Sequence, residues 1–365
     1  METDYNPSLR MWKKVLFVLS VLLGLAAMAT IPHFVGIDKI RVAIARTGTL
    51  SLVIFTLFAG LPLVIPAIGW WIIMRGEGIR ASLWQALKAN FMGFPINMIA
   101  PSAYLGAEPL KTIYIARVCD VTKRRVLATI IVAKVQEVAG LALGMLLSAI
   151  VYMWRVDLGR RDRVTVSIVT AVMVLGMAGV MIMFFRNAQP SVKVINFLAR
   201  FGFARRKLAR LRPKAEEMEH MIHACFMHRW RRFLVAQAVT LLSAISLFFR
   251  PWVYFILDVH PDLHLIDSQH LAAIYVITNS INTVSITPGG LGVFEAGLLL
   301  YFAKAKLGAD NALAYAFANR IFDITYVLWG LWLIVHTGLT GVAKGIAKGT
   351  DQTIKPEDQP TAADV

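Results

Sequence analysis

The fold of this chain is decided by a polar stretch between two apolar segments, Thr283-Val284-Ser285-Ile286-Thr287-Pro288-Gly289-Gly290-Leu291-Gly292-Val293-Phe294-Glu295. A proline and three glycines cannot continue a regular helix. At membrane depth, irregular backbone is tolerated only where protein buries it or water reaches it. An ionisable residue in such a segment, here Glu295, is a candidate functional residue. A surface turn between two helices would use the same Pro and Gly residues and is the alternative.

The composition is that of a polytopic membrane protein. Of the 365 residues, 57% are hydrophobic and 16% are charged, and the mean hydropathy is +0.62. An average soluble domain has about a quarter of its residues charged. The formal net charge of +16 would suggest nucleic acid in a soluble protein. Here the basic residues lie between apolar segments, so the positive-inside rule and anionic lipids explain them, and we expect no nucleic-acid partner.

The sequence has no signal for an enzyme. It contains no Walker-type loop, no HExxH motif and no Cys/His cluster. Cys119 and Cys225 both lie in basic segments, so no disulfide framework is expected. Metal binding by His260, His264 and His270, which lie in one loop, is a minor alternative. We therefore expect no catalytic residue, metal or cofactor.

Hydropathy predicts an all-α membrane protein with about six spans and two re-entrant helical hairpins. The predicted spans are 15–33, 50–74, 126–154, 164–185, 233–257 and 313–335. The predicted hairpins are 82–118 and 269–305, because Pro, Gly and charged residues interrupt both.

Charge and composition predict the topology and domain boundaries. Basic residues place the N-terminus, the connector 186–232 and the C-terminus in the cytoplasm of a bacterial cell, with the protein in its inner membrane. The connector is either an amphipathic helix on anionic inner-leaflet lipids or a plain cytoplasmic segment. We predict one membrane domain over 1–348, with halves at 50–185 and 233–336, and a disordered tail over 349–365.

A short pattern recurs in the two predicted hairpins. The first has Ile96-Asn97, Pro101, Gly106 and Glu108, and the second has Ile281-Asn282, Pro288, Gly292 and Glu295. In both, the glutamate follows the proline by seven positions. The first hairpin would enter from the cytoplasm and the second from outside, which is typical of inverted-topology repeats whose broken helices meet at a midplane substrate site. Chance similarity of two Pro/Gly turns is the alternative.

Charged residues within the predicted spans extend the candidate site. Lys134 and Glu137, and likewise Arg320 and Asp323, are three positions apart on one helix face. Each pair either neutralises itself or lines a cavity, and Arg250 either faces the interior or snorkels outward. The predicted substrate-binding residues are Asn97, Pro101, Gly106, Glu108, Lys111, Lys134, Glu137, Arg250, Asn279, Asn282, Ser285, Thr287, Pro288, Gly289, Gly290, Gly292, Glu295, Arg320 and Asp323.

The sequence resembles the transmembrane, flippase-like domain of the lysylphosphatidylglycerol synthases, which also occurs as stand-alone proteins. The matching residues are Asn97, Pro101, Gly106-Ala107-Glu108, Gln136-Glu137, Pro288 to Glu295, and Arg320, and the resemblance runs from about residue 10 to 345. It implies a domain that moves or accommodates lipids. Some stand-alone members resemble hopanoid-associated proteins, which would make the lipid a hopanoid or its glycosylated form.

Two departures from the family limit what the resemblance implies. The aminoacyl-transferase domain of the full-length synthases is missing, so lysine transfer to lipid is not expected. The spacing of Glu108 and Lys111 after Gly106 is shifted relative to the acidic and basic positions of the family.

Three functions are consistent with the sequence. The first is translocation of an anionic or glycosylated lipid, with Asn97, Glu108, Asn282 and Glu295 lining the cavity and Lys134 and Arg320 contacting headgroup charge. The second is an accessory protein that holds a lipid for a partner glycosyltransferase or other lipid-modifying enzyme. The third is an ion-coupled transporter of a small solute.

Overall fold

The computed structural model describes residues 48–99, 106–155, 160–185, 230–257, 266–284 and 287–339, with scattered positions between 192 and 224. Within these residues the chain is helical and has no strand, which confirms the all-α class. The predicted first span, most of the basic connector and both termini lie outside the described residues.

The helices fall where hydropathy predicts them. In chain order they are α1 (Thr49–Ala59), α2 (Leu61–Gly76), α3 (Leu83–Ile99), α4 (Glu108–Cys119), α5 (Lys123–Arg155), α6 (Arg160–Phe185), α7 (Trp230–Leu257), α8 (Ser268–Val284), α9 (Val293–Lys304) and α10 (Ala309–His336). A 3-10 turn, Pro288–Gly290, lies between α8 and α9.

Four helical segments of the described chain are long and apolar enough to cross a membrane. They are Thr49–Gly76, Lys123–Arg155, Trp230–Leu257 and Ala309–His336. Each coincides with a predicted span. The predicted span 164–185 is also helical and forms part of α6.

The first of these segments is divided at Gly60, as its Gly and Pro content predicts. Gly60 separates α1 from α2, and Pro66 lies inside α2. A side chain at Gly60 would overlap the hydroxyl of Tyr326 in α10. Glycine is therefore required here, because α10 approaches the backbone at the division between the two helices.

Two broken helix pairs occupy the regions of the predicted hairpins, and they have the same dimensions. The first pair is α3 and α4, with 17 and 12 residues, and the second pair is α8 and α9, also with 17 and 12 residues. A 12-residue helix rises about 18 Å, whereas a bilayer core is about 30 Å thick. Neither α4 nor α9 is long enough to cross that core.

The orientation of the segment 49–76, which comprises α1 and α2, relative to α7 follows from contacts at both of its ends. Arg232 Nη1 donates to the carbonyl of Arg75 at 2.9 Å. At the other end, Ser51 Oγ donates to the carbonyl of Leu257 at 3.0 Å. The segment 49–76 therefore runs antiparallel to α7.

The two helix pairs pack across the molecule in a reciprocal manner. Helix α3 of the first pair packs on α10, and α8 of the second pair packs on α5. Both contacts are close because a glycine faces the partner: a side chain at Gly330 would overlap the Phe91 carbonyl and Pro95, and one at Gly144 would overlap Tyr275. Each pair is thus held by the span that follows the other pair in sequence.

Candidate functional site

Four charged side chains and one amide form a cluster at the first helix pair, called here the first cluster: Asn90, Glu108, Lys111, Lys134 and Glu137. Lys134 Nζ lies 2.7 Å from Glu137 Oε2 and 3.9 Å from Glu108 Oε1. Lys111 Nζ donates to Asn90 Oδ1 at 2.6 Å. The cluster joins α3, α4 and α5, so residues distant in sequence form one polar site.

The backbone of the first pair places Glu108 in this cluster. Glu108 is the first residue of α4, and Thr112 Oγ1 donates to its carbonyl at 2.8 Å. Just before it, the Ala107 N–H donates to Asn97 Oδ1 at 3.0 Å, which connects the end of α3 to the start of α4. Asn97 therefore orders the turn rather than lying free in the cavity.

The first cluster is electrically balanced but incompletely bonded. It has two cations and two carboxylates, and a buried charge is tolerated when it is paired in this way. Both carboxylate oxygens of Glu108 are buried and accept no hydrogen bond from the described residues. A small cavity opens beside them, lined by Pro66, Trp70, Asn90, Glu108, Lys111, Ile130, Ala133, Lys134 and Glu137. The Glu108 carboxylate can therefore accept hydrogen bonds from a polar group that enters this cavity.

A second cluster lies at the second helix pair and consists of Gly289, Gly292, Glu295, Arg320 and Asp323. Arg320 Nε donates to Glu295 Oε1 at 2.7 Å, and Nη1 donates to Asp323 Oδ2 at 3.0 Å and to the Gly289 carbonyl at 2.8 Å. Glu295 and Arg320 are only 6% and 9% exposed. Both carboxylates of the second cluster are therefore bonded to Arg320, whereas the Nη2 of Arg320 is buried and donates to no described residue.

The glycines of the opening stretch give Glu295 its position. Gly289, Gly290 and Gly292 have φ of 58°, 65° and 78°, a region that favours glycine. This conformation turns the Gly292 N–H toward Glu295 Oε2, which accepts it at 2.8 Å, as the third residue of a helix does in a capping box. The irregular stretch thus serves to cap α9 and to present the Gly289 carbonyl to Arg320.

Arg250 faces the protein interior and lies near the second cluster. Its guanidinium lies 4.3 Å from the ring centroid of Phe322 and 5.7 Å from that of Phe55. Phe322 precedes Asp323 in α10, so this contact places Arg250 near the second cluster. The alternative of a side chain snorkelling outward to the interface does not agree with this position.

The two clusters share one arrangement. In each, a glutamate at the start of the pair's second helix faces a cation of the following span, and an acid three residues after that cation pairs with it. The first set is Glu108, Lys134 and Glu137, and the second is Glu295, Arg320 and Asp323.

The broken ends of the two pairs touch each other. A side chain built at Gly289 would come within 2.7 Å of the terminal methyl of Met98, at the end of α3. The backbone of α3 also packs on the 3-10 turn of the second pair. The two helix pairs, each with its own cluster, are therefore in direct contact at their broken ends.

The remaining predicted residues have varied positions. Asn282 lies beside Gly290, and Asn279 donates to the Tyr275 carbonyl at 2.8 Å. Thr287 accepts the Gly290 N–H through its carbonyl at 3.0 Å, Pro288 begins the 3-10 turn, and Gly106 precedes α4. Pro101 and Ser285 lie outside the described residues, as do His260 and His264.

Structural roles account for two residues that sequence patterns singled out. Gln136 Nε2 donates to the Phe233 carbonyl at 2.9 Å and so joins α5 to α7, away from the first cluster. His270 Nδ1 lies 2.8 Å from the Tyr301 hydroxyl, a contact between α8 and α9.

Sequence reasoning missed Asn90 as a site residue. It binds Lys111 and also donates from Nδ2 to the Leu63 carbonyl at 2.6 Å. Asn90 and Asn97 are two helical turns apart, so they lie on one face of α3. That spacing is the signal that identifies a polar face.

Comparison with known proteins finds membrane proteins along most of the chain. A UPF0104 membrane protein of Methanocaldococcus jannaschii is 21% identical over 318 residues, which cover 86% of this chain and 90% of that protein. One of Methanothermobacter thermautotrophicus is 18% identical over 337 residues, covering 88% and 93%. The family model described as the lysylphosphatidylglycerol synthase TM region matches residues 17–330. The chain therefore belongs to the lysylphosphatidylglycerol synthase TM region family.

Proposed function

We propose that this protein translocates a lipid with an anionic or glycosylated headgroup across the cytoplasmic membrane, and that it is not an enzyme. The headgroup enters the polar interior at the two clusters while the acyl chains remain in the bilayer. Membership of a family named for the membrane region of a lipid synthase supports a lipid-related role.

The observation that carries the proposal is the matched pair of clusters. Two helix pairs of equal length each present a glutamate to a cation on the next span, and the pairs meet at Met98 and Gly289. This supports inverted-topology repeats with re-entrant hairpins, in which a central site alternates between the two membrane faces.

The chemistry of the first cluster suits the headgroup. An ammonium group is a compact charge that binds phosphate, and Lys111 and Lys134 both lie at the cavity. The carboxylate oxygens of Glu108 accept no hydrogen bond from a described residue, and these would accept hydrogen bonds from sugar or glycerol hydroxyls. An entering phosphate would replace Glu108 beside Lys134, because that ion pair is already long at 3.9 Å.

The polar interior needs access from both sides for transport. In this proposal the second cluster keeps one route closed, which its short ion pairs support. Opening requires Arg320 to leave Glu295 and Gly289. Separating Arg320 from Glu295 costs free energy, and a bound headgroup would offset that cost by forming new polar contacts with these two side chains.

The test is movement of labelled lipids in proteoliposomes. Reconstituted wild type, Glu108→Gln and Glu295→Gln would be compared for phosphatidylglycerol, phosphatidylcholine and a glycosylated lipid. We expect wild type to move at least one anionic or glycosylated class and Glu108→Gln to slow it severalfold. Glu216→Gln, which removes an exposed charge, is the matched control and should move lipid as wild type does.

Two outcomes would contradict the proposal. Absence of movement for every lipid class would remove translocation, and retained binding of a lipid would then support the lipid-holding alternative. Equal rates for wild type and the two buried variants would show that the clusters are not part of the route.

A further inference from the structure

A surface groove with an apolar wall and a basic rim lies where α2 ends and α7 begins, apart from the two clusters. A groove on the surface there is lined by Trp71, Ile72, Arg75, Arg231, Arg232 and Val235. None of these residues belongs to the two clusters. We propose that this groove binds an anionic glycerophospholipid of the inner leaflet, with one acyl chain in the groove and its phosphate on the arginines.

The groove wall is apolar and fixed in shape. The Trp71 indole N–H donates to the Ala81 carbonyl at 3.0 Å, which holds the ring against the chain after α2. Val235 is 54% exposed and continues into the exposed apolar face of α7. A surface of this kind at a span end suits a lipid chain, because it adjoins the exposed apolar face of a membrane span.

The rim of the groove carries positive charge. Arg75, Arg231 and Arg232 are exposed, and no ion pair among the described residues involves them. Glu77 is the acid nearest to Arg75 in the sequence, and its single negative charge does not balance the three arginines. Three arginines that line one groove favour a phosphate, because a guanidinium group can donate two parallel hydrogen bonds to it.

Contacts within the rim hold the arginines around the groove. Arg232 donates to the Arg75 carbonyl at 2.9 Å, so it ties the start of α7 to the end of α2. Arg75 lies 5.8 Å from the centre of the Trp71 ring, and Arg231 lies 5.6 Å from that of Trp230. Aromatic rings beside cations at a span end are typical of the headgroup region of a membrane.

The choice of an inner-leaflet lipid follows from charge. Both spans that form the groove have their basic ends here, so the positive-inside rule places this end in the cytoplasm. The cytoplasmic leaflet holds the anionic lipids, and each basic residue near it adds attraction. The inference uses this orientation but does not depend on lipid transport.

Photo-crosslinking of lipid to the full chain tests the proposal. The protein would be placed in phosphatidylcholine nanodiscs with a trace of phosphatidylglycerol or phosphatidylcholine that carries a diazirine in one acyl chain. Mass spectrometry would then locate the labelled peptides. We expect phosphatidylglycerol to label the peptides with Ile72 and Val235 in preference to phosphatidylcholine. Loss of each arginine should lower that preference about five-fold.

Variants separate the charged rim from the apolar groove. The triple variant R75Q/R231Q/R232Q should lose the preference for phosphatidylglycerol, while Val235→Gln should reduce labelling in the groove and leave the rim intact. Arg117→Gln, which removes an exposed arginine of α4, is the matched control and should label as wild type does. Glu108→Gln should also label as wild type does, which separates this site from the interior.

Three results would overturn the proposal. Equal labelling by the two lipids would mean ordinary lipid contact at the protein surface. An unchanged preference in a folded, monodisperse triple variant would mean that the arginines do not hold the headgroup. Absence of label from the groove, with label elsewhere on the protein, would mean that the groove holds no lipid chain.

Discussion

Arg320 and Glu295 form a buried ion pair, with Nε and Oε1 2.7 Å apart, that ties the last described span to the second helix pair. The corresponding contact of the first pair, Lys134 to Glu108, is 3.9 Å. The same arrangement is thus tight in one half of the protein and loose in the other, which leads to different expectations for the two glutamates.

Removing one partner of the tight pair should destabilise the protein. Arg320→Gln leaves the carboxylates of Glu295 and Asp323 without their cation, which costs about 3–5 kcal/mol. Glu295→Gln should cost less, because Arg320 keeps its pair with Asp323. Thermal or chemical denaturation in a detergent of fixed composition measures the loss. Arg212→Gln breaks an exposed pair, whose side chains are 54% and 36% exposed, and should change stability by less than about 1 kcal/mol. An equal loss of stability on breaking the Arg320–Glu295 pair and the Arg212–Glu216 pair would show that the former is not a buried ion pair.

Replacing every charge of the second cluster by an apolar residue should recover stability without function. Asp323 also pairs with Arg320, so the replacement has to include it. In Glu295→Leu/Arg320→Met/Asp323→Leu no charge of this cluster remains, and such replacements are often neutral or stabilising. We expect the triple variant to denature at a higher temperature than Arg320→Gln and to translocate no lipid. A triple variant as unstable as the sum of its single variants would show that packing, not charge, controls these contacts.

Glu108→Gln should separate stability from activity. The oxygens of Glu108 accept no hydrogen bond from described residues, so its neutral isostere loses only a distant attraction to Lys134. We expect a smaller change in denaturation temperature than for Glu295→Gln, together with slower lipid movement. Measuring both properties in one preparation checks this, and a loss of stability equal to that of Glu295→Gln would be the contrary result.

Gly330→Ala should weaken the packing of α3 on α10. A methyl group there would overlap the Phe91 carbonyl and Pro95, and overpacking of this kind costs about 1–3 kcal/mol. Gly176→Ala in α6 is the control, because no atom lies within 4 Å of the added carbon. Denaturation of the two variants should differ clearly. Similar curves would mean that α3 moves away from α10 without cost.

Labelling of introduced cysteines tests the orientation of α1 and α2. With Cys119 and Cys225 replaced by serine, Gly48→Cys and Arg80→Cys place thiols at exposed positions before and after this segment. An impermeant maleimide should label Gly48→Cys in intact cells and Arg80→Cys only after lysis, because basic ends stay in the cytoplasm. The reverse pattern would invert the topology.

The apolar composition, the positions of four spans and the two broken segments follow from the sequence alone. Backbone polar groups in lipid must be satisfied within the segment, so long apolar runs form helices and Pro/Gly stretches interrupt them. The recurrence of Pro, Gly and Glu also indicated both helix pairs before any packing was known, and it predicted Glu108 and Glu295 as site residues.

Only the tertiary structure decided which charges meet. The spacing of Lys134 to Glu137 and of Arg320 to Asp323 predicts local pairing, but the contacts to Glu108 and Glu295 depend on how each helix pair docks on the following span. The role of Asn90, the inward position of Arg250 and the contact of Met98 with Gly289 depend on docking in the same way. Hydropathy is a property of each segment and decides whether that segment lies in lipid or in water. The distance between two side chains on different helices is instead set by close packing across the interior.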